Sequence, residues 1–95
     1  MTSSIRLTVR NPGGIHLRPL VVFVQAAASH RGTAVTVRNV TLDGPARNAT
    51  SSLLVATLKI KQGHEIEVTA DGPDEAAALD AVRAAVESGL GEAIG

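Results

Sequence analysis

The 95-residue sequence predicts an α+β fold in two layers, an open-faced sandwich with a four-stranded antiparallel sheet and three helices on one face. Segments that alternate apolar and polar residues are interleaved with segments of helical period, in the order β-α-β-β-α-β-α. The strand positions expected to point away from the helices are all polar, as a solvent-exposed sheet face requires: Arg6, Thr8, Arg10, Thr36, Arg38, Glu65, Glu67 and Thr69.

The first strand and the first helix are separated by a glycine-rich turn. Alternation over residues 5–9 predicts a half-buried strand, and residues 11–14 (Asn-Pro-Gly-Gly) end it. We expect a helix over about residues 17–29, ended by residues 31–32 (Arg-Gly). Its apolar residues share one helix face: Leu17, Leu20, Val21, Val24 and Ala28.

Two strands and a short helix follow in the middle of the chain. A second strand is expected over residues 35–42, with a break in its alternation near Asn39. The pair Asp43-Gly44 is typical of a hairpin turn, so residues 45–49 should return as an edge strand. A short helix through residues 53–55 is expected next, because three residues that favour helix caps precede it: Thr50, Ser51 and Ser52.

A fourth strand and a third helix complete the pattern. Gly63 marks a turn, and alternation over residues 65–69 predicts the strand. Residues 72–75 (Gly-Pro-Asp-Glu) then place proline and acidic groups at a helix start. This helix ends at Gly89 or Gly91, and its buried stripe is expected to be Leu79, Val82 and Val86.

Composition and charge exclude several classes of protein. Residues 1–95 are expected to form a single domain with an aliphatic core, because Phe23 is the only aromatic residue. Nine basic and nine acidic residues balance, which argues against nucleic-acid binding. No segment approaches the roughly 20 apolar residues of a membrane span, so no membrane insertion is expected. The absence of cysteine suits the cytoplasm, and a cytoplasmic monomer is the simplest prediction.

The segment Gly14-Ile15-His16-Leu17-Arg18-Pro19 carries the chemistry. It places an imidazole at the predicted start of a helix and a guanidinium two residues later. The first N–H groups of a helix have no partner within it and carry partial positive charge, so they bind phosphate. A phosphate on His16 would lie among these donors, and Arg18 could add charge-assisted hydrogen bonds. The pattern therefore predicts a site that holds a phosphoryl group.

This segment resembles the active-site signature of HPr, the histidine-containing phosphocarrier of the bacterial phosphoenolpyruvate-dependent sugar phosphotransferase system. The resemblance extends over residues 5–92 in length and in the order of elements. Further matching landmarks, in chain order, are Asn11, Ser51, residues 62–66, residues 74–76 and residues 89–92.

The resemblance implies a role for each residue of the segment. His16 would accept the phosphoryl group on Nδ1, Arg18 would balance its charge, and the backbone N–H groups of Leu17 and Arg18 would bind it. Pro19 would lie in the first helical turn, where a missing N–H costs nothing. The protein would be a stoichiometric carrier rather than an enzyme, without metal or cofactor. Enzyme I would donate the phosphoryl group, and enzyme II A proteins would receive it for sugar uptake and phosphorylation.

The resemblance also implies a docking face and a regulatory serine. The candidates for an apolar face that receives both partners are Leu17, Leu20, Val21, Leu53 and Leu54. Ser51 matches a serine that a kinase/phosphorylase modifies in many Gram-positive bacteria. Thr50 and Ser52 depart from the usual flanking pattern, and Ser51 fits a simple helix cap equally well.

Other departures keep a second class of function open. Leu17 and Leu20 replace smaller residues of the family, and the loop over residues 39–44 is longer than its common form. The alternative is a paralogue that acts as a regulatory binding module or serves a dihydroxyacetone or nitrogen-regulatory branch. His30 and His64 occupy loop positions without a metal-ligand pattern, and we expect both to be surface residues.

Overall fold

The computed structural model describes residues 2–92, and its elements follow the predicted order. The strands are β1 (Thr2–Thr8), β2 (Ala34–Asn39), β3 (Arg47–Asn48) and β4 (Glu65–Asp71). The helices are α1 (Arg18–Ala27), α2 (Ser52–Ala56) and α3 (Glu75–Glu87). None of these helices within residues 2–92 has the length and apolar composition needed to cross a bilayer. The predicted α+β open-faced sandwich is confirmed.

The sheet order is β1-β4-β2-β3, and every neighbouring pair is antiparallel. In this order β4 lies between the two strands that flank α1. Leu7 pairs with Ile66, and Val37 pairs with Val68. These side chains are buried on the sheet face that the helices cover. Because side chains alternate along a strand, their polar neighbours point to the opposite, uncovered face.

The uncovered face carries an ion-pair network centred on Glu67. Its carboxylate oxygens lie 3.0 Å from Nε of Arg38 and 3.5 Å from Nε of Arg6, one on each neighbouring strand. The hydrogen bond from Arg38 holds the pKa of Glu67 below its ordinary value, and Arg6 contributes in the same direction. The polar strand positions therefore pair across the sheet as well as facing water.

The helices close the core over the other face. Phe23, the one aromatic residue, is fully buried, as are Val82 and Val68. The stripe predicted for the third helix is confirmed, with Leu79, Val82 and Val86 buried. A core of aliphatic side chains thus forms between the sheet and α1 and α3.

The face predicted for the first helix is not the buried one. The core-facing residues of α1 are Pro19, Phe23 and Ala27, spaced four apart. Of the five residues assigned to the apolar face, Leu17, Val21 and Ala28 are exposed, and Leu20 and Val24 are half-buried. Residues 19–24 are apolar without a break, so hydrophobic period alone could not decide which side faces the sheet.

The second strand is shorter than predicted because Asn39 turns the chain. The side-chain Oδ1 of Asn39 accepts from the N–H of Leu42 at 3.2 Å, and its backbone carbonyl accepts from the N–H of Gly44 at 3.0 Å. Residues 40–43 therefore form turns, and the apolar residues among them do not continue the strand. The returning edge strand is correspondingly short, spanning Arg47–Asn48 within the predicted residues 45–49.

Candidate functional site

The loop between β1 and α1 is anchored by Asn11, which is fully buried. Its side-chain Nδ2 donates to the carbonyl of Gly89 at 2.8 Å and to Oε1 of Glu92 at 3.0 Å. The backbone carbonyl of Asn11 accepts from the N–H of Gly14 at 2.8 Å, which closes the turn. Asn11 thus has a structural role, since it ties the loop to the turn after α3.

A second anchor holds the loop at Gly14 and Ile15. Ile15 is buried, and its N–H donates to the carbonyl of Ile60 at 3.1 Å. Gly14 has φ +71°, and a Cβ there would collide with the same carbonyl oxygen of Ile60. Glycine is therefore required at residue 14 both by backbone conformation and by close approach.

His16 follows these anchors and is exposed. Its imidazole lies over Gly13, where a Cβ would collide with Nε2 and would also crowd Cε1 and Cδ2. The Nε2 edge is thus covered by the loop backbone. Nδ1 is bonded to Cγ and is therefore the ring nitrogen nearer the main chain.

The start of α1 presents hydrogen-bond donors beside His16. Leu17 is the N-cap with φ 53° and ψ −125°, a conformation that strains a non-glycine residue by about 1–3 kcal/mol. Arg18 begins the helix, and Pro19 lies in its first turn as predicted. Within residues 2–92 the N–H groups of Leu17 and Arg18 donate to no other group. Two unpaired donors therefore follow His16 directly at a positive helix end.

The Arg18 side chain extends towards the turn after α3. A Cβ on Gly91 would lie 2.9 Å from Nε of Arg18 and 3.2 Å from Cγ2 of Val22. Among residues 2–92 the guanidinium makes no ion pair and no hydrogen bond, including none to His16. The structure thus brings the Arg18 main chain to the site and leaves its side-chain donors available.

Exposed apolar side chains lie on α1 and α2 near this site. Leu17 is 76% exposed, Leu53 75%, Val21 53% and Leu54 36%. Leu20 is only half-buried and also packs against the core. The two helices are in contact with each other.

Ser51 caps the second helix. Its side-chain oxygen accepts from the N–H of Leu54 at 3.3 Å, and its extended backbone is typical of an N-cap. Of the three candidate cap residues Thr50, Ser51 and Ser52, Ser51 is the N-cap in the structure. Ser52 is the first helical residue and is exposed.

His64 is more enclosed than the sequence suggested. It is half-buried, and its Nδ1 lies 3.1 Å from the backbone nitrogen of Lys61 and 3.0 Å from Nδ2 of Asn39. The signal was available in the strand register. Antiparallel pairing of Leu7 with Ile66 continues to Val9, whose N–H donates to the carbonyl of His64, so the register places His64 beside the end of β1. Residues 2–92 contain no cluster of three or more His, Cys, Asp or Glu suited to a metal ion.

Comparisons with known proteins match nearly the whole chain. The family described as the PTS HPr component phosphorylation site matches residues 3–88. Phosphocarrier protein NPr of Proteus mirabilis is 35% identical over 92 residues, covering 97% of this chain and 99% of the relative. The crystal structure of HPr-C-His from Thermoanaerobacter tengcongensis superposes with a TM-score of 0.88 at 29% identity, covering 97% of this chain and 99% of that one.

A longer class of proteins also matches. The multiphosphoryl transfer protein of Vibrio cholerae is 38% identical over 84 residues, which cover 88% of this chain. The chain spans about a fifth of the length of that relative, 21%. The matching segment is thus one part of a larger protein there.

Proposed function

The chain belongs to the HPr family of phosphocarriers of the phosphotransferase system, and from this premise we propose that His16 is its phosphoacceptor. HPr-type proteins are carriers rather than catalysts. In the proposal His16 accepts a phosphoryl group from phosphorylated enzyme I. It then passes the group to an enzyme II A protein for sugar uptake and phosphorylation, in the cytoplasm.

The observation that carries this proposal is the exposed imidazole of His16 beside the unpaired N–H groups of Leu17 and Arg18. With Nε2 covered by Gly13, Nδ1 is the nitrogen suited to attack. Its lone pair would form the new N–P bond while the bond from phosphorus to the donor breaks. The phosphoryl oxygens would then accept from the two N–H groups, and the helix dipole favours their negative charge.

Arg18 would assist as a second source of positive charge. Its guanidinium has no ion-pair partner within residues 2–92, so it can turn towards the phosphoryl group without breaking a salt bridge. Charge-assisted hydrogen bonds to phosphate are stronger than neutral ones. We assign Arg18 to charge balance and Pro19 to the start of the helix.

We further propose that enzyme I and the enzyme II A proteins dock in turn on one apolar face. We call it the docking face, and its residues are Leu17, Leu20, Val21, Leu53 and Leu54. Exposed apolar side chains that are clustered in this way are typical of interaction surfaces. The cluster adjoins His16, so one partner at a time could reach the imidazole.

Ser51 enters the proposal as a regulatory site for a serine kinase/phosphorylase. A phosphate on Ser51 would add about two negative charges at the α2 N-terminus, two residues from Leu53 of the docking face. Such a charge would weaken the encounter with enzyme I. The cap geometry of Ser51 supports its position at a helix start and leaves the modification to experiment.

A second candidate function is service in another branch of phosphotransfer. The relatives include a phosphocarrier named NPr, matched over nearly its whole length, beside one named HPr. A nitrogen-regulatory branch and a dihydroxyacetone branch are therefore both candidates. These candidates share the His16 chemistry and differ in the partner enzyme I. Rates of phosphorylation by enzymes I from the three branches would discriminate them.

Intact-mass measurement tests the proposed function. The protein is incubated with enzyme I and phosphoenolpyruvate beside His16→Ala and, as a matched control, His30→Ala. We expect one acid-labile phosphate on the wild type and on His30→Ala, and none on His16→Ala. Phosphate retained by His16→Ala, or a folded wild type that gains none from any of the three enzymes I, would refute the proposal.

A further inference from the structure

His64 lies at the turn that precedes β4, and its contacts fix its tautomer. Nδ1 accepts from the backbone N–H of Lys61 at 3.1 Å, and a backbone N–H can only donate. The ring therefore carries its proton on Nε2. The contact with Asn39 at 3.0 Å is then a donation from Nδ2 of Asn39 to the same Nδ1.

Asn39 joins this turn to the end of β2. The residue is buried, and its Nδ2 also donates to the carbonyl of Leu58 at 3.2 Å. Its Oδ1 is occupied by the N–H of Leu42. The Asn39 amide thus contacts the segment over residues 58–64 at two points, Leu58 and His64.

The same segment supports the loop that carries His16. Ile60 lies between Leu58 and His64 in the sequence. Its carbonyl accepts from the N–H of Ile15 and lies against Gly14. The segment also pairs with Val9, which accepts from the N–H of Gly63 at 2.8 Å and donates to the carbonyl of His64 at 2.9 Å. A displacement of Ile60 would therefore shift the backbone just before His16.

We propose that His64 and Asn39 are positioning residues for phosphoryl transfer. They hold the Ile60 carbonyl beneath Gly14 and Ile15, and so set the position of the His16 imidazole relative to the N–H groups of α1. This inference rests on the proposed function of His16. Neither residue is part of the docking face. A substitution at either one should therefore change the rate of phosphoryl transfer through the position of the loop and not through partner binding.

A matched pair of substitutions at His64 separates positioning from simple packing. The side-chain oxygen of His64→Asn lies where Nδ1 lies, so that variant keeps the acceptor for Lys61 and Asn39. His64→Gln carries its oxygen near the position of Nε2 and loses that acceptor. His30→Gln is the control for a change of histidine in another loop.

The measurement is the initial rate of phosphoryl transfer from phosphorylated enzyme I as the concentration of each variant is raised. We expect kcat for His64→Gln to fall by about tenfold, because misplacement of about 1 Å costs up to ~100-fold in rate. KM should stay unchanged, and His64→Asn and His30→Gln should remain within about twofold of the wild type. Circular dichroism would establish that each variant is folded at the assay temperature.

Several outcomes would overturn the inference. These are a wild-type kcat for His64→Gln, an equal fall in His64→Asn, or an effect on KM alone. Should His64→Gln not fold, Asn39→Ser replaces it, with the same expected fall in kcat and the same contrary result. A wild type that takes no phosphate would instead refute the proposed function, and this inference with it. The amide resonances of Ile15 and His16 would still show whether the loop moves in His64→Gln.

Discussion

At the scale of single residues, Gly14 is the position where the loop tolerates least change. Its φ of +71° is costly for any residue with a Cβ, and the Ile60 carbonyl occupies the space that a Cβ would need. Gly32 has a similar φ of +83° and open space around it. The two glycines therefore separate the conformational cost from the steric cost.

We predict that Gly32→Ala lowers the free energy of unfolding by about 1–2 kcal/mol, the cost of a left-handed residue. Gly14→Ala should lower it by about 1–3 kcal/mol more, because the backbone must shift to relieve the collision. Urea unfolding followed by circular dichroism measures both. Equal losses in the two variants would contradict the close approach of Gly14 to Ile60.

The hydroxyl of Ser51 is the second residue-scale feature, because it satisfies the N–H of Leu54 at the start of α2. We predict that Ser51→Ala lowers the free energy of unfolding by about 1 kcal/mol, the usual cost of losing a cap. The neighbouring Ser52→Ala should stay within about 0.5 kcal/mol of the wild type. A loss in Ser52→Ala as large as that in Ser51→Ala would argue against the capping role.

At the scale of elements, α1 is apolar on two sides, and each side has a different partner. One side is buried through Pro19, Phe23 and Ala27. The other leaves Leu17 and Val21 exposed next to α2. When a helix is apolar on two sides, hydrophobic periodicity does not identify which side is buried. The sequence therefore predicted the position of the helix but not which of its faces is buried.

The docking face makes a prediction that separates binding from stability. Leu53 is 75% exposed, so Leu53→Ala should leave the free energy of unfolding within about 0.5 kcal/mol of the wild type. If enzyme I docks there, its KM for the carrier should rise by about 5- to 30-fold, equivalent to a loss of 1–2 kcal/mol.

The matched control is Leu42→Ala, which removes another exposed leucine from the loop between β2 and β3. Its KM should equal that of the wild type. Equal rises in KM for Leu42→Ala and Leu53→Ala would show that general surface hydrophobicity, rather than the docking face, governs the encounter.

At the scale of the whole molecule, the sheet order brings distant segments together at the site. With β4 beside β1, the turn over residues 58–64 lies against the loop that precedes His16. Through Asn11, the turn after α3 reaches the same loop from the other side. The position of His16 therefore depends on three parts of the chain that are far apart in sequence.

This dependence explains what could be predicted from the sequence. The element order, the start of α1 at the His16 segment and the α3 stripe are local patterns, and the structure agrees with them. The support of Gly14 by Ile60 is a long-range contact with no local signal. The contacts of His64 depend on the strand register and on where β2 ends. The turn at Asn39 ends β2 earlier than its apolar pattern predicts, so these contacts could not be predicted from the sequence.

The phosphate site at His16 can be tested with the ¹H–¹⁵N spectrum of the protein before and after phosphorylation by enzyme I and phosphoenolpyruvate. Phosphoryl oxygens bound by the start of α1 should deshield the nearest amide protons. We predict that the largest downfield shifts on phosphorylation are those of Leu17 and Arg18. A phosphorylated protein in which these two amides do not move, with the largest shifts around His30 or His64, would contradict the account.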